Sequence, residues 1–215
     1  MSNEQMTNDG KFNIYLNELI KWNNKFNLTA IIEPEEIRKK HFDDSLLLLN
    51  SLDLKHESVI DIGAGAGFPG IPLKIVRPDI RLTLVEATKK KVEFMEQLVA
   101  RLGLKGVEVV WGRAEEITAG RRERFDLAIA RAVAELNTLA EYCLPFVKVG
   151  GLFVAYKELA IEPEIEASQP ALTLLGGRFK RVDKYDSRSL VFIDKITPTP
   201  EKYPRRSGMA KKRPL

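Results

Sequence analysis

The stretch VIDIGAGAGFPG, residues 59–70, decides how this chain is read. Val59 and Ile60 open an apolar strand that ends in an acid, Asp61. Glycines follow at alternate positions, Gly63, Gly65 and Gly67, and Pro72 stands where the first turn of a helix tolerates a missing N–H. Strand, glycine turn and helix form a loop whose backbone passes close against a ligand, because no Cβ stands in the way. The turn also points backbone N–H groups at whatever is bound.

Downstream of this loop, strand and helix patterns alternate, which predicts a mostly parallel sheet. Apolar runs place strands at 58–62, 81–86, 107–111, 125–130 and 151–157. A helix over 89–102 carries Val92, Met95, Val99 and Leu102 on one face, and a second spans 135–144. Residues 162–175 read as helical, with Pro170 expected to break or kink them. The runs 179–185 and 189–196, parted by Asp186, Ser187 and Arg188, predict an antiparallel hairpin. The sum is an α/β protein with seven strands, the last two antiparallel.

Upstream, residues 1–10 read as disordered. Phe12, Tyr15, Leu16 and Leu19 then recur at helical spacing, Pro34 can start a second helix, and HFDDSLLLLNSL reads as a third helical segment. The predicted organisation is a helical cap over 11–55, a main domain over 56–200 and a basic tail over 201–215.

Composition sets limits. With 44% apolar and 30% charged residues, the chain has the make-up of a soluble protein with a sizeable core. It shows no apolar run of about eighteen residues and no signal-peptide pattern at the N-terminus. Its single cysteine, Cys143, lies on an apolar helix face and reads as core, so the expected location is the cytoplasm. Residues 201–215 hold six basic side chains against Glu201, a local charge of +5, and the remaining 200 residues sum to −1. Such a tail suits phosphate binding, through Arg205, Arg206, Lys211, Lys212 and Arg213, or serves as a solvated end.

The loop parses in two ways. From Gly65, GAGFPG satisfies the dinucleotide fingerprint. From Asp61 it reads acid-x-Gly-x-Gly-x-Gly, the pattern of adenosylmethionine-dependent methyltransferases. A carboxylate at Asp61 opposes a pyrophosphate but takes a methionine ammonium, and Pro69 has no N–H where a pyrophosphate wants donors. Glu86 ends the second strand, 21 residues past Gly65, where ribose hydroxyls are held in either case. Ala114-Glu115 follows the third strand, where an adenine edge would lie, with Glu116 as the neighbouring alternative. Arg131 follows the fourth strand and suits a methionine carboxylate or a substrate phosphate.

The segment after the fourth strand, ARAVAE, lacks the [DNS]-P-P-[FYW] loop of amino-group methylation, and Cys143 is misplaced for carbon methylation of a pyrimidine. A substrate atom that is already nucleophilic, such as guanine N7, fits best, with no general base required. His41, Asp43 and Asp44 cannot all face one ion, so no metal is expected.

The run DIGAGAGFPGIPL, with KFNLTAI and HFDDSL before it, AEEI and ARAV after it and YPRRSGMAKKRPL at the end, resembles the bacterial ribosomal small-subunit RNA methyltransferase G family, also called glucose-inhibited division protein B. The resemblance implies a Rossmann-like methyltransferase fold and transfer of a methyl from S-adenosylmethionine to N7 of one guanine in 16S rRNA. It also implies cofactor contacts at Gly63, Phe68, Ala114, Glu115 and Arg131, added to Asp61, Gly65, Gly67 and Glu86 from the loop argument. Phe68 stands where other members often carry leucine. The expected partner is 16S rRNA or the small subunit, met by a monomer with neither membrane nor metal. The alternatives are a non-catalytic RNA-binding or assembly protein on the same fold, and a nicotinamide-dependent oxidoreductase.

Overall fold

The computed structural model describes residues 6–131 and 134–215. The expectation of disorder at residues 1–5, and Ala132 and Val133 of the ARAV run, lie outside the described residues.

A seven-stranded sheet has the order β3-β2-β1-β4-β5-β7-β6. Its strands are β1 (Ser58–Ile62), β2 (Arg81–Glu86), β3 (Val107–Trp111), β4 (Phe125–Arg131), β5 (Val147–Lys157), β6 (Gly177–Tyr185) and β7 (Arg188–Lys195). The strands β1 to β5 pair in parallel, and β7 inserts antiparallel between β5 and β6. The expected hairpin is present. The central strands read as continuous apolar runs because both faces are covered. Val59 points into one core with Leu82, Leu84 and Ile129, and its neighbour Ile60 points into the other with Ala128 and Phe153.

The helices are α1 (Asn8–Asn23), α2 (Pro34–Ile37), α3 (Asp44–Leu46), α4 (Gly70–Val76), α5 (Lys89–Arg101), α6 (Ala114–Ile117), α7 (Leu136–Cys143), α8 (Glu162–Leu174) and α9 (Met209–Lys212). On the first face, α1, α4 and α5 contribute Tyr15, Leu19, Ile71, Phe94 and Met95. On the second, α7 contributes Leu136, Leu139 and the fully buried Cys143. Among the described residues, no helix is long and apolar enough to cross a membrane.

Three local differences from expectation have physical causes. Residues 8–10 belong to α1, because the Thr7 hydroxyl accepts the Gly10 N–H at 3.2 Å and caps the helix early. The cap between α2 and α3 is a π-helical stretch, Arg38–Asp43, a widened turn that turns His41 and Asp44 toward the sheet edge. Pro170 does not break α8. It lies on the exposed face, and Glu166, whose carbonyl it leaves without a helical partner, is exposed to solvent as well.

Candidate active site

Parallel strands deliver their carboxyl ends to one edge, and between β1 and β4 the strand order reverses, which opens a crevice there. Register brings Asp61 level with Leu84 on one side and Ile129 on the other, and Glu86 level with Trp111. The glycine loop folds over this edge. Gly67 has φ 96°, and a Cβ on it would lie 2.5 Å from Ile71 Cδ1 and 2.9 Å from the Tyr15 hydroxyl. That hydroxyl donates to the Ala66 carbonyl at 2.6 Å, so α1 clamps the loop from outside.

The loop uses its backbone donors internally. The N–H groups of Gly63 and Ala64 reach the Val85 carbonyl, and those of Gly67 and Phe68 reach the Ala64 carbonyl. Gly65 N–H donates to Glu86 Oε2 at 3.0 Å, and Gly70 N–H to Asp61 Oδ2 at 2.8 Å. With Pro69 lacking an N–H and six of the other seven donors of residues 63–70 used within the protein, the Ala66 N–H is left, one donor where a pyrophosphate wants several. The oxidoreductase parse is the poorer fit.

Two buried acids stand at this edge, and of the two Glu86 lines the larger cavity. Asp61 is fully buried, and among the described residues its Oδ1 is the buried side-chain polar atom without a hydrogen-bond partner. Burial pushes its carboxyl up to about 8, against the Gly70 N–H and Arg131, which favour the charged form; Glu86 adds to the rise. A buried acceptor left in this state calls for a donor. Glu86 is buried too, and accepts Gly65 N–H and Thr88 N–H (2.7 Å to Oε1). A carboxylate has about four acceptor positions, so lone pairs remain for two hydroxyls.

Two cavities open beside the loop and share Gly63, Gly65 and Lys91. The larger, about 340 Å³, runs from Ile62 and Glu86 past Gly112 to Ala114, Glu115 and Tyr142. Glu115 lines it, whereas Glu116 is exposed and does not. The smaller, about 190 Å³, lies between the loop, Phe68, Arg131 and the cap residues Leu28, Thr29 and His41. Asp61, Gly63, Gly65, Phe68, Glu86, Ala114, Glu115 and Arg131 thus converge on one edge. Gly67 shapes the loop, and neither it nor the fully buried Asp61 lines either cavity.

The smaller cavity has a wall that the sequence did not reveal. Phe68 stacks between Tyr15 (centroids 5.1 Å apart, planes at 9°) and His41 (4.6 Å, 21°). Arg131, its guanidinium 5.0 Å from the Phe68 ring, donates through Nη1 to Asp44 Oδ2 at 2.9 Å. Arg188 donates to the other Asp44 oxygen at 2.8 Å. Arg131 Nη2 faces His41 Nδ1 at 3.3 Å, which makes Nδ1 the acceptor and leaves Nε2–H to donate to Thr29 Oγ1 at 2.8 Å. Burial, with Arg131 acting in the same direction, pulls the His41 imidazole down to about 4, so it is neutral at pH 7.

The basic tail is folded rather than splayed. Tyr203 and Ala210 are buried, and the Arg205 guanidinium grips the buried Glu141 of α7 at 2.6 to 3.1 Å. Gly208 N–H donates to Glu115 Oε1 at 2.9 Å, and Lys211 lines the larger cavity. Arg205, expected to face RNA, has its charge committed to Glu141 because burying that acid unpaired would be costly. Arg206, Lys211, Lys212 and Arg213 are exposed. Among the described residues, no group of three or more His, Cys, Asp or Glu is placed to hold a metal ion.

A family model described as GidB, rRNA small subunit methyltransferase G, matches residues 8–191. The chain belongs to the rRNA small subunit methyltransferase G family. Membership makes it a methyltransferase, with S-adenosylmethionine as the methyl donor. It is 50% identical to the ribosomal RNA small subunit methyltransferase G of Moorella thermoacetica, over 94% of this chain and 88% of that one. It is 49% identical to the protein of the same name from Alkaliphilus metalliredigens, with the same coverage. Among solved structures it resembles a SAM-dependent methyltransferase from Aquifex aeolicus, with TM-score 0.59 and 20% identity over 74% of this chain and 93% of that one. It also resembles M. jannaschii TYW2 in complex with AdoMet, with TM-score 0.59 and 14% identity over 78% and 80% of the two chains. These likenesses establish the Rossmann-like methyltransferase fold.

The donor set at the sheet edge fits the cofactor of the methyltransferase G family. Its sulfonium and ammonium are cationic, and the edge presents two buried acids and an acceptor without a partner. Three residues of the site carried no signal in the sequence. Lys91, Tyr142 and Thr29 enter through contacts between elements distant in the chain.

Proposed function

We propose that this chain transfers a methyl group from S-adenosylmethionine to N7 of one guanine in 16S rRNA, acting in the cytoplasm as a monomer on the RNA or the small subunit. The observation that carries the reading is the glycine loop, which turns six of its seven N–H groups inward beside the acids that β1 and β2 bring to the edge. In this reading Asp61 takes the methionine ammonium, directly or through one water, and Glu86 takes the ribose hydroxyls. Ala114 and Glu115 frame adenine, Arg131 faces the methionine carboxylate, and Gly63, Gly65 and Phe68 form the wall between. Bound there, the cofactor supplies a methyl carbon activated on a sulfonium.

Guanine N7 carries a lone pair and no proton, so the chain's task is positioning rather than proton removal. His41 agrees with that division of labour. Both of its ring nitrogens are engaged, by Arg131 and Thr29, so it is not poised as a base. The target base leaves its stack to reach the crevice, at a cost of a few kcal/mol. The cap over 11–55 and the tail flank the domain over 56–200, and Arg206, Lys211, Lys212 and Arg213 meet phosphates. Arg205 anchors the tail.

The test has two parts. Calorimetry with S-adenosylmethionine, S-adenosylhomocysteine and NADH should give binding of the first two alone, lost in Gly65→Val. Incubation of 16S rRNA and of small subunits with labelled cofactor, followed by borohydride–aniline cleavage, should map one 7-methylguanine. Label at another atom would sink the N7 assignment. Cofactor binding without transfer to either substrate would favour the non-catalytic assembly protein.

A further inference from the structure

The sheet edge carries a second surface beside the larger cavity, sharing Arg113 with it. Trp111 ends β3 and is 61% exposed. Its ring is fixed all the same: the indole N–H donates to the Ala87 carbonyl at 3.0 Å, and the Lys89 ammonium lies 5.7 Å from the ring centroid. The next lysine, Lys90, lies 4.8 Å over the Phe26 ring, which packs on Trp22 with centroids 5.6 Å apart. Arg113 beyond Trp111 and Lys25 beside Phe26 are exposed. Cations thus flank the two rings in the order Lys25, Phe26, Lys90, Lys89, Trp111 and Arg113, with Lys90 also 3.4 Å from Glu93 Oε2. Ala87 and Arg113, on either side of the indole, also line the larger cavity, but Trp111 does not.

A large exposed indole in a fixed plane, flanked by ammonium groups, has the chemistry of a single-stranded nucleic-acid platform. Every base has a π-face to lay on such a ring, and the phosphates on either side meet the cations. Fixing the ring beforehand lowers the ordering cost of the contact. We infer that this rim is a docking track for unpaired nucleotides of the RNA substrate, with Trp111 as the ring on which one base stacks. The inference rests on the rRNA reading above and adds a contact surface to the tail. The track ends at the mouth of the adenosine cavity, so a strand lying on it is led toward the crevice.

The test compares wild type with Trp111→Ala, Trp111→Phe and the pair Lys89→Gln and Lys90→Gln, using full-length chains and small-subunit rRNA. Stacking lost by alanine substitution predicts an RNA KM about ten-fold higher, with kcat and the calorimetric affinity for S-adenosylmethionine unchanged. Trp111→Phe keeps a π-face and should recover most of the loss. The lysine pair should reduce the slope of log affinity against log salt by about 1.4, as expected for two phosphate contacts on a single strand. In a Trp22→Phe background, RNA should quench Trp111 fluorescence. An unchanged KM in Trp111→Ala, with wild type active, overturns the track alone. Loss of cofactor affinity in that variant also overturns it, because the indole would then serve adenosine. Wild type without transfer to rRNA removes the functional reading and the track with it.

Discussion

Two buried aspartates lie behind the site, neither lining either cavity, and their circumstances are opposite. Asp44, on the cap side, has a side chain 2% exposed, and both its oxygens are gripped by guanidinium groups, from Arg131 and Arg188. Asp61, on the loop side, is fully buried with one oxygen on Gly70 N–H and the other without a partner. A buried acid with every lone-pair region answered holds elements together. One with a region unanswered is costly to the fold and has to be answered by something from outside. The contrast fits Asp44 to architecture and supports the proposal that Asp61 serves the ligand.

The largest effect that would break this comparison is on folding. Asp44→Asn strands two guanidinium groups without their anion and should cost about 3 kcal/mol, read from denaturant midpoints. A near-neutral result would mean that the ion pair is dispensable. Asp61→Asn should do the reverse: little change or a gain in ligand-free stability, with S-adenosylmethionine affinity down by about ten- to a hundred-fold, the range of a charge-assisted hydrogen bond. Equal losses of stability in the two variants would erase the distinction.

A smaller effect comes from pH. The Asp61 carboxyl, ordinarily near 3.8, is pushed to about 8 in the folded state, so across that window the unfolded chain has released a proton that the folded chain retains. Stability therefore falls as pH rises from about 4 to 8. His41, ordinarily near 6.5 and held near 4, works in the opposite sense: between those values the unfolded chain binds the proton, and stability falls as pH drops. Between about 6.5 and 8 Asp61 acts without His41, so the ligand-free Tm should decline there and Asp61→Asn should flatten the decline. Cofactor binding near neutrality should release a proton, visible by calorimetry in buffers of different ionisation enthalpy. The smallest effect is at the surface: Arg206→Ala should lower the salt slope of RNA binding by about 0.7 and leave cofactor affinity alone.

What was legible in the sequence follows the range of the interactions. The strands and the hairpin announced themselves because burial on both faces writes itself into local runs such as Val59-Ile60 and Leu127–Ala130. The preference proposed for a cationic ligand rests on Asp61 and Pro69, two residues whose chemistry acts within their own turn. The pairing of Arg205 carried no signal because Glu141 lies 64 positions away on another helix, and that of Asp44 none because Arg188 is 144 positions away. Pro170 misled for a different reason. The rule that proline breaks helices holds where the freed carbonyl has no alternative partner, and on α8 the residue that carries it, Glu166, is exposed to solvent.

The folded C-terminal segment makes one wall of the pocket depend on parts of the chain that are far apart. Gly208 N–H ties down Glu115, 93 positions earlier, and Lys211 lines the larger cavity beside it. Whatever loosens this segment loosens that wall while the seven paired strands stay as they are. The shape of the cavity and the integrity of the sheet are therefore separable properties of the molecule.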